Sequence, residues 1–289
     1  MIYPKRIIFS GGGVRGMAHI GALEELEKAG LLIYVKEWIG VSAGSILALM
    51  LSVGYSLREL AAFCREFDFT QVVDLDDATG WIFKLGIDTG ERLKRLIEAL
   101  LKEKGLHSSL TFQELATLRS KNPGMRVYAT DLNSGRYKIF SSVHTPHYKV
   151  VDAVRASSAI PVYFQPIVDR DTGNILVDGG VISNFPLIYM TETEQNETLG
   201  LNLCKRIEEI QDFNVTDIVN RPILIGMREI SKLENALFKN NCILIETTIT
   251  NPLAFNLTSE EKNNLFEEGR RAVRSYIQQN KPIRRWSVS

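Results

Sequence analysis

"IGVSAGSI", residues 39–46, decides the reading of this 289-residue chain. Gly40 and Gly44 bracket Ser42 in a Gly-x-Ser-x-Gly pattern. Apolar "VKEWIGV" precedes the serine as a short strand, and "SAGSILALMLSVG" follows it as a helix. A buried strand that turns straight into an apolar helix at such a pattern is the arrangement of a nucleophile elbow. Small residues at 40 and 44 let the chain reverse tightly. Ser42 then stands at a helix N-terminus, where the backbone dipole favours developing negative charge. Ser42 could also be an ordinary helix N-cap, but the strand–turn–helix context favours a nucleophile. Ser45, one turn on, reads as packing.

The elements around the elbow alternate. "RIIFS" reads as a buried strand and is followed by a glycine loop. "VRGMAHIGALEELEKAG" then reads as a helix, with Ile20, Leu23, Leu26 and Leu31 at helical spacing and Gly30 at its stop. "SLRE" at 56–59 and "TFQE" at 111–114 fit capping boxes. "MRVYATDL" and "RYKIFSS" read as strands, "VVDAVRASSAIP" as a helix ending before Pro161, and "NILVDGG" as a strand entering a turn. "ETLGLNLC" and "NCILIETTI" are further strands, and a long capped helix closes the chain. The alternation predicts an α/β fold with helices on both faces of the sheet. No stretch is long or polar enough to divide the chain, so a single domain over 1–289 is expected.

Composition excludes several function classes. Lys plus Arg and Asp plus Glu both number 34, so nothing global points to nucleic acid. Three scattered cysteines, Cys64, Cys204 and Cys242, form no zinc spacing and no disulfide framework. The longest apolar run, "ILALMLSVGY", is too short to span a bilayer, and no signal-peptide segment opens the chain. A cytoplasmic protein, able to touch a membrane surface, is the expectation.

"SGGGVRG", residues 10–16, joins the first strand to the first helix. Gly11, Gly13 and Gly16 satisfy G-x-G-x-x-G, so a nucleotide-binding oxidoreductase is a rival reading. That reading needs an acid ending the second strand. Glu37 is the only nearby candidate, and the strand runs on past it. Alternatively, the loop aims backbone N–H groups at an oxyanion, with no side chain in the way. Arg15 would then supply a supporting charge or brace the loop through its carbonyls.

A serine nucleophile needs a base. The four histidines are His19, His107, His144 and His147, and none follows residue 147. The α/β-hydrolase order of serine, acid, histidine is therefore unavailable with Asp178 as the acid. His19 reads as core. A triad using His144 or His147 with Asp131 remains open at this point. "LVDGGVISNFP", residues 176–186, offers a simpler base in Asp178, which ends a buried strand before Gly179 and Gly180. Asp-Gly is also an ordinary turn sequence.

Taken together, "GGGVRG" at 11–16, "GVSAG" at 40–44 and "DGG" at 178–180 resemble the patatin-like phospholipase family in order and spacing. "ASSAIPVYFQP", residues 156–166, also resembles the family's segment before the aspartate strand. The similarity covers about residues 5–190, with 193–289 completing the fold, and "LTSEEKNNLFEEGRRA" looks like the closing helix of bacterial-type members. The resemblance implies a three-layer fold with a mainly parallel central sheet. It also implies a lipid acyl hydrolase of the phospholipase A or lysophospholipase type, without metal or other cofactor. Ser42 would be the nucleophile and Asp178 the base of a Ser–Asp dyad, and Gly11, Gly12, Gly13 and Arg15 would form the oxyanion hole. A catalytically silent lipid-binding protein of the same fold is the remaining alternative.

Two segments combine aromatics with cations in the manner of a lipid–water boundary, with core packing of the first and a frayed tail for the second as the alternative readings. They are "GWIFKLGI" at 80–87, with Trp81, Ile82, Phe83 and Leu85, and "KPIRRWSVS" at 281–289, with Lys281, Arg284, Arg285 and Trp286.

Overall fold

The computed structural model describes residues 3–74, 85–118, 122–204, 212 and 215–280. Its centre is an eight-stranded mixed sheet. Strands β1 (Arg6–Phe9), β2 (Glu37–Val41), β4 (Gly124–Asp131), β9 (Thr198–Leu203) and β10 (Cys242–Ile245) are mutually parallel. Strands β5 (Arg136–Ser141) and β8 (Ile175–Asp178) run antiparallel to β4, and β7 (Ile167–Val168) pairs antiparallel with β8. A separate two-stranded ladder joins β3 (Gly86–Asp88) to β6 (Val162–Phe164).

β1 has no charged residue after Arg6, and Ile7, Ile8 and Phe9 are all fully buried. Such a strand must be covered on both faces. Ile7 and Phe9 pack into the larger core, against helices α1 (Met17–Lys28), α2 (Ala43–Ser52) and α3 (Leu57–Glu66). Ile8 points the other way, into a smaller cluster with Ile39, Val41, Tyr128, Phe185 and Leu187. The expected α/β architecture with a mostly parallel sheet is observed.

Helix termini follow the local chemistry. Ser56 with Glu59 opens α3, and Thr111 with Glu114 opens α5 (Phe112–Thr117), as complete capping boxes. Thr258 with Glu261 does the same for α9 (Ser259–Gln279). Helix α6 (Val150–Ser157) stops four residues before Pro161. The amphipathic α4 (Glu91–Glu103), the short α7 (Glu192–Asn196) and the long α8 (Val215–Leu237) are elements that the sequence reading did not assign.

One detail of the pairing creates the site. β5 occupies one edge of β4 along residues 126–131. The other edge is shared: β2 pairs with residues 124–128, and β8 pairs with 129–131 from the opposite direction. Val41 lies opposite Tyr128, and Asp178 lies opposite Ala129. The two strands therefore meet end to end, and their junction falls between Ser42 and Asp178.

Candidate active site

Ser42 leaves β2 with φ 54° and ψ −131°, a left-handed conformation that a side chain rarely tolerates. The turn is over-determined by close contacts. A Cβ at Gly40 would overlap Gly44 O, and one at Gly44 would overlap Phe9 O. The Ser42 N–H donates to Ser157 Oγ at 3.0 Å, and Ser157 Oγ donates to Tyr128 O at 2.7 Å. The carbonyl of Ser42 accepts from Ser45 Oγ at 2.6 Å. Ser42's own hydroxyl makes no capping bond to α2, which removes the N-cap explanation for a serine here.

Asp178 is 2 % exposed. Its Oδ1 accepts the Gly180 N–H at 2.7 Å, and its main chain is held by Ala159 O (2.8 Å) and Thr130 Oγ1 (2.9 Å). A Cβ at the following Gly179 would overlap Tyr128 O and stand 3.1 Å from Val41 Cγ1. The aspartate turn thus abuts the residue preceding Ser42.

The glycine loop leaves β1 beside the same junction. The Val14 N–H is taken by Pro252 O at 3.0 Å. Among the described residues, no acceptor reaches the N–H groups of Gly11, Gly12 and Gly13. Arg15 is buried, and its guanidinium donates to Gly12 O (3.2 Å) and Cys204 O (3.0 Å). Burial lowers its pKa to about 10, far enough above neutrality to keep the cation at pH 7. Its observed contacts are those of a brace that fixes the orientation of the loop's peptide planes.

Asn184 was not singled out from the sequence, although it lies in the aspartate motif. It is 5 % exposed, and among the described residues its Oδ1 has no hydrogen-bond partner. A Cβ at Gly11 would stand 2.7 Å from Ser42 Cβ and 2.8 Å from Asn184 Oδ1. A Cβ at Gly180 would overlap the same oxygen and stand 2.9 Å from Asp178 Oδ1. The carboxamide is thus wedged between the glycine loop and the aspartate turn. It supplies a physical reason for glycine at both 11 and 180. Ser157 was likewise missed, because its contact with Ser42 spans 115 positions of sequence.

Ser42 opens onto a cavity of about 130 Å³. Its walls are almost wholly apolar and run along α2 through Ile46 and Met50 towards Leu60, Phe63 and Leu93. Gly13 and Ser158 also line it. Asp178 is not part of this lining; it lies on the Asn184 side of the serine.

No histidine lines this cavity. His19 is fully buried and hydrogen-bonded to Ser10 O at 3.0 Å, and desolvation pushes its pKa down to about 4. His144 contacts Ser141, and His107 contacts Ser109. Asp131 is engaged by Asn174 and by its own turn. Glu37, the acid required by a dinucleotide reading, begins β2 rather than ending it and is held by Arg6 (3.1 Å) and Arg126 (3.0 Å). Trp81, Ile82 and Phe83, and the whole of 281–289, lie outside the described residues. Leu85 is described and is exposed. Among the described residues, no helix is long and apolar enough to cross a membrane.

Comparison with known proteins agrees with this architecture. The family model for patatin-like phospholipase matches residues 7–191. The chain is 28% identical to the uncharacterized protein YqhO of Bacillus subtilis, over 94% of this chain and 97% of that protein. It is 29% identical to the probable lipid hydrolase 463L of Invertebrate iridescent virus 6, over 64% of this chain and 62% of that protein. The crystal structure of VipD from Legionella pneumophila superposes with a TM-score of 0.67 at 16% identity, covering 96% of this chain and 67% of that one, a likeness of fold. The elbow serine, the abutting aspartate turn, the braced glycine loop and the match over residues 7–191 have one common explanation: the chain belongs to the patatin-like phospholipase family.

Proposed function

We propose that this lipid hydrolase cleaves fatty-acyl esters of phospholipids, lysolipids or acylglycerols through an acyl-enzyme on Ser42, with Asp178 as general base. The observation that carries the reading is the end-to-end meeting of β2 and β8, with Ser42 opening onto an apolar cavity. Ser42 Oγ attacks the acyl carbonyl carbon while Asp178 takes its proton. The N–H groups of Gly12 and Gly13 receive the oxyanion, and the N-terminus of α2 adds its dipole. Collapse of the tetrahedral species expels the alcohol, which recovers the proton from Asp178. Water, deprotonated by the same carboxylate, then attacks the acyl-enzyme and releases the fatty acid.

The cavity walls favour a long unbranched acyl chain. From Ser42 to Met50 is two turns of helix, about 12 Å of apolar wall at a rise of about 1.5 Å per residue. A membrane or other lipid aggregate is the natural source of such a substrate.

The test is labelling with an alkyl fluorophosphonate followed by peptide mapping. Modification of Ser42, blocked in Ser42→Ala and strongly slowed in Asp178→Asn, is the expected result. Full hydrolytic activity in folded Asp178→Asn, or loss of activity in a histidine variant that still folds, would replace the dyad with another base.

A further inference from the structure

We propose that the outer face of α8 docks the protein onto a lipid–water interface, a proposal that rests on the lipid acyl hydrolase reading above. The helix is inside out. Its inward face is polar: Ser231 and Glu234 are each 3 % exposed. Glu234 is hydrogen-bonded to Ser183, Asn235 accepts from Asn202 Nδ2 at 2.8 Å, and Asn202 also reaches Ser231 Oγ at 3.4 Å. Its outward face is apolar: Ile218, Val219, Leu224, Ile225, Leu233 and Leu237 are between 41% and 67% exposed. A helix in water ordinarily has the reverse arrangement.

The exposed residues are ordered. At about 100° per residue, Ile218, Val219, Ile225, Leu233 and Leu237 fall within one sector about 120° wide; Leu224 lies outside it, and the half-exposed Glu229 is the one charged residue of the helix inside it. Arg221, Arg228 and Lys232 form a stripe along one border of that sector. An apolar face with a cationic border is the pattern of a helix lying in a membrane interface. Arg228 and Lys232 share one carboxylate, Glu229 (2.8 and 3.1 Å). The solvent-facing charges are three cations against Asp217 and Glu229, an excess that suits anionic headgroups.

The helix also backs onto the catalytic turn. Met227 Cε lies 2.8 Å from the position of a Cβ at Gly180, and Glu234 holds Ser183. Docking by the outer face would therefore place α8 between the lipid surface and the loop that carries Asp178 and Asn184.

The test uses the full chain and phosphatidylcholine–phosphatidylserine vesicles. Ile225→Glu combined with Leu233→Glu changes exposed positions only. Co-sedimentation is expected to fall about tenfold or more, equivalent to about 1.4 kcal/mol. Hydrolysis of vesicle phospholipid should fall with it, while the rate on a soluble short-chain ester stays within about twofold of the original, since the chemistry is untouched. Arg228→Gln with Lys232→Gln should weaken binding to phosphatidylserine-containing vesicles and leave binding to pure phosphatidylcholine unchanged. Undiminished vesicle binding by the double Glu variant overturns the proposal. So does light scattering that finds a dimer dissolved by the same variant, which would make the face a contact between copies. An original protein that binds vesicles through α8 but neither turns over the soluble ester nor labels at Ser42 overturns the hydrolase reading and leaves the docking result standing.

Discussion

The backbone N–H of Ser42 donates to Ser157 Oγ at 3.0 Å, and that same hydroxyl donates to Tyr128 O at 2.7 Å. One side chain from α6 therefore fastens the elbow to β4, the strand along which β2 and β8 meet. Ser157→Ala would leave a buried N–H and a buried carbonyl without this partner, at a cost of about 1–3 kcal/mol. Urea denaturation should register that loss. The kcat on a soluble ester is expected to fall more than KM rises, because the elbow sets the attack geometry and not the acyl cavity.

Ser42→Gly should abolish ester hydrolysis and raise stability. The positive φ at this position costs a serine about 1–3 kcal/mol, and glycine removes most of that strain while adding chain entropy to the unfolded state. A net gain of about 1 kcal/mol is expected from the denaturation midpoint. Ser42→Ala, which keeps a Cβ, should lose activity by a factor on the order of a million without the gain. Equal stability of the two variants would mean that the strain is relaxed elsewhere.

Asn184→Asp should move the acid limb of the kcat/KM profile to higher pH. The new carboxylate would lie beside Asp178, since both side chains border the Cβ position of Gly180. Like charges in a buried site hold a proton longer, so the base becomes competent only at higher pH. Asn184→Ala carries no charge and should lower kcat without moving the limb. A pH–rate profile of the Asp variant that coincides with the original would remove Asn184 from electrostatic reach of the base.

The glycine loop needs two different substitutions. Alanine at Gly13 would meet both a positive φ of 58° and the backbone of Pro252, so its main effect should be on folding. Alanine at Gly12 would meet only the flexible end of Leu203, so the protein should fold and the loss should appear in kcat. One oxyanion donor is worth about 3–4 kcal/mol in barrier height. Unchanged kcat in Gly12→Ala would mean that the loop holds its N–H groups in place despite the added methyl group.

His19 makes stability depend on pH. Its folded-state pKa is near 4, because burial disfavours the cation, against 6.5 for the unfolded chain. The unfolded state therefore binds more protons between these values. The contribution is fully present above pH 6.5 and is lost as pH falls towards 4, by about 3 kcal/mol in total. A His19→Gln variant should show a flatter stability curve across that window while its ester hydrolysis continues.

Much of this was legible in the chain itself. The two glycines around Ser42, the apolar strand before them and the apolar helix behind them specify an elbow by local chemistry. Capping boxes at Ser56 and Thr111 are likewise local, since the residues that bond are three apart. Helix α8 was not assigned from the sequence although its apolar residues recur at helical spacing; that they face outward, with Glu234 and Asn235 turned in towards Ser183 and Asn202, is fixed only by tertiary packing.

The sequence by itself determined which residues carry chemical capability: a serine bracketed by two glycines, an acid before two glycines, and a loop bare enough to offer its N–H groups. It placed Asp178 at the end of a buried strand but left the direction of that strand open. Only the tertiary structure decided it. β8 runs antiparallel to β4 and fills the part of its edge that β2 leaves vacant, so Asp178 arrives at Ser42 from the opposite end. Strand direction is set by how the intervening chain packs back onto the sheet, a sum over many distant contacts that no short motif encodes. The wedge of Asn184 and the brace of Ser157 depend on the same assembly, because each joins segments that become neighbours only once the sheet has formed.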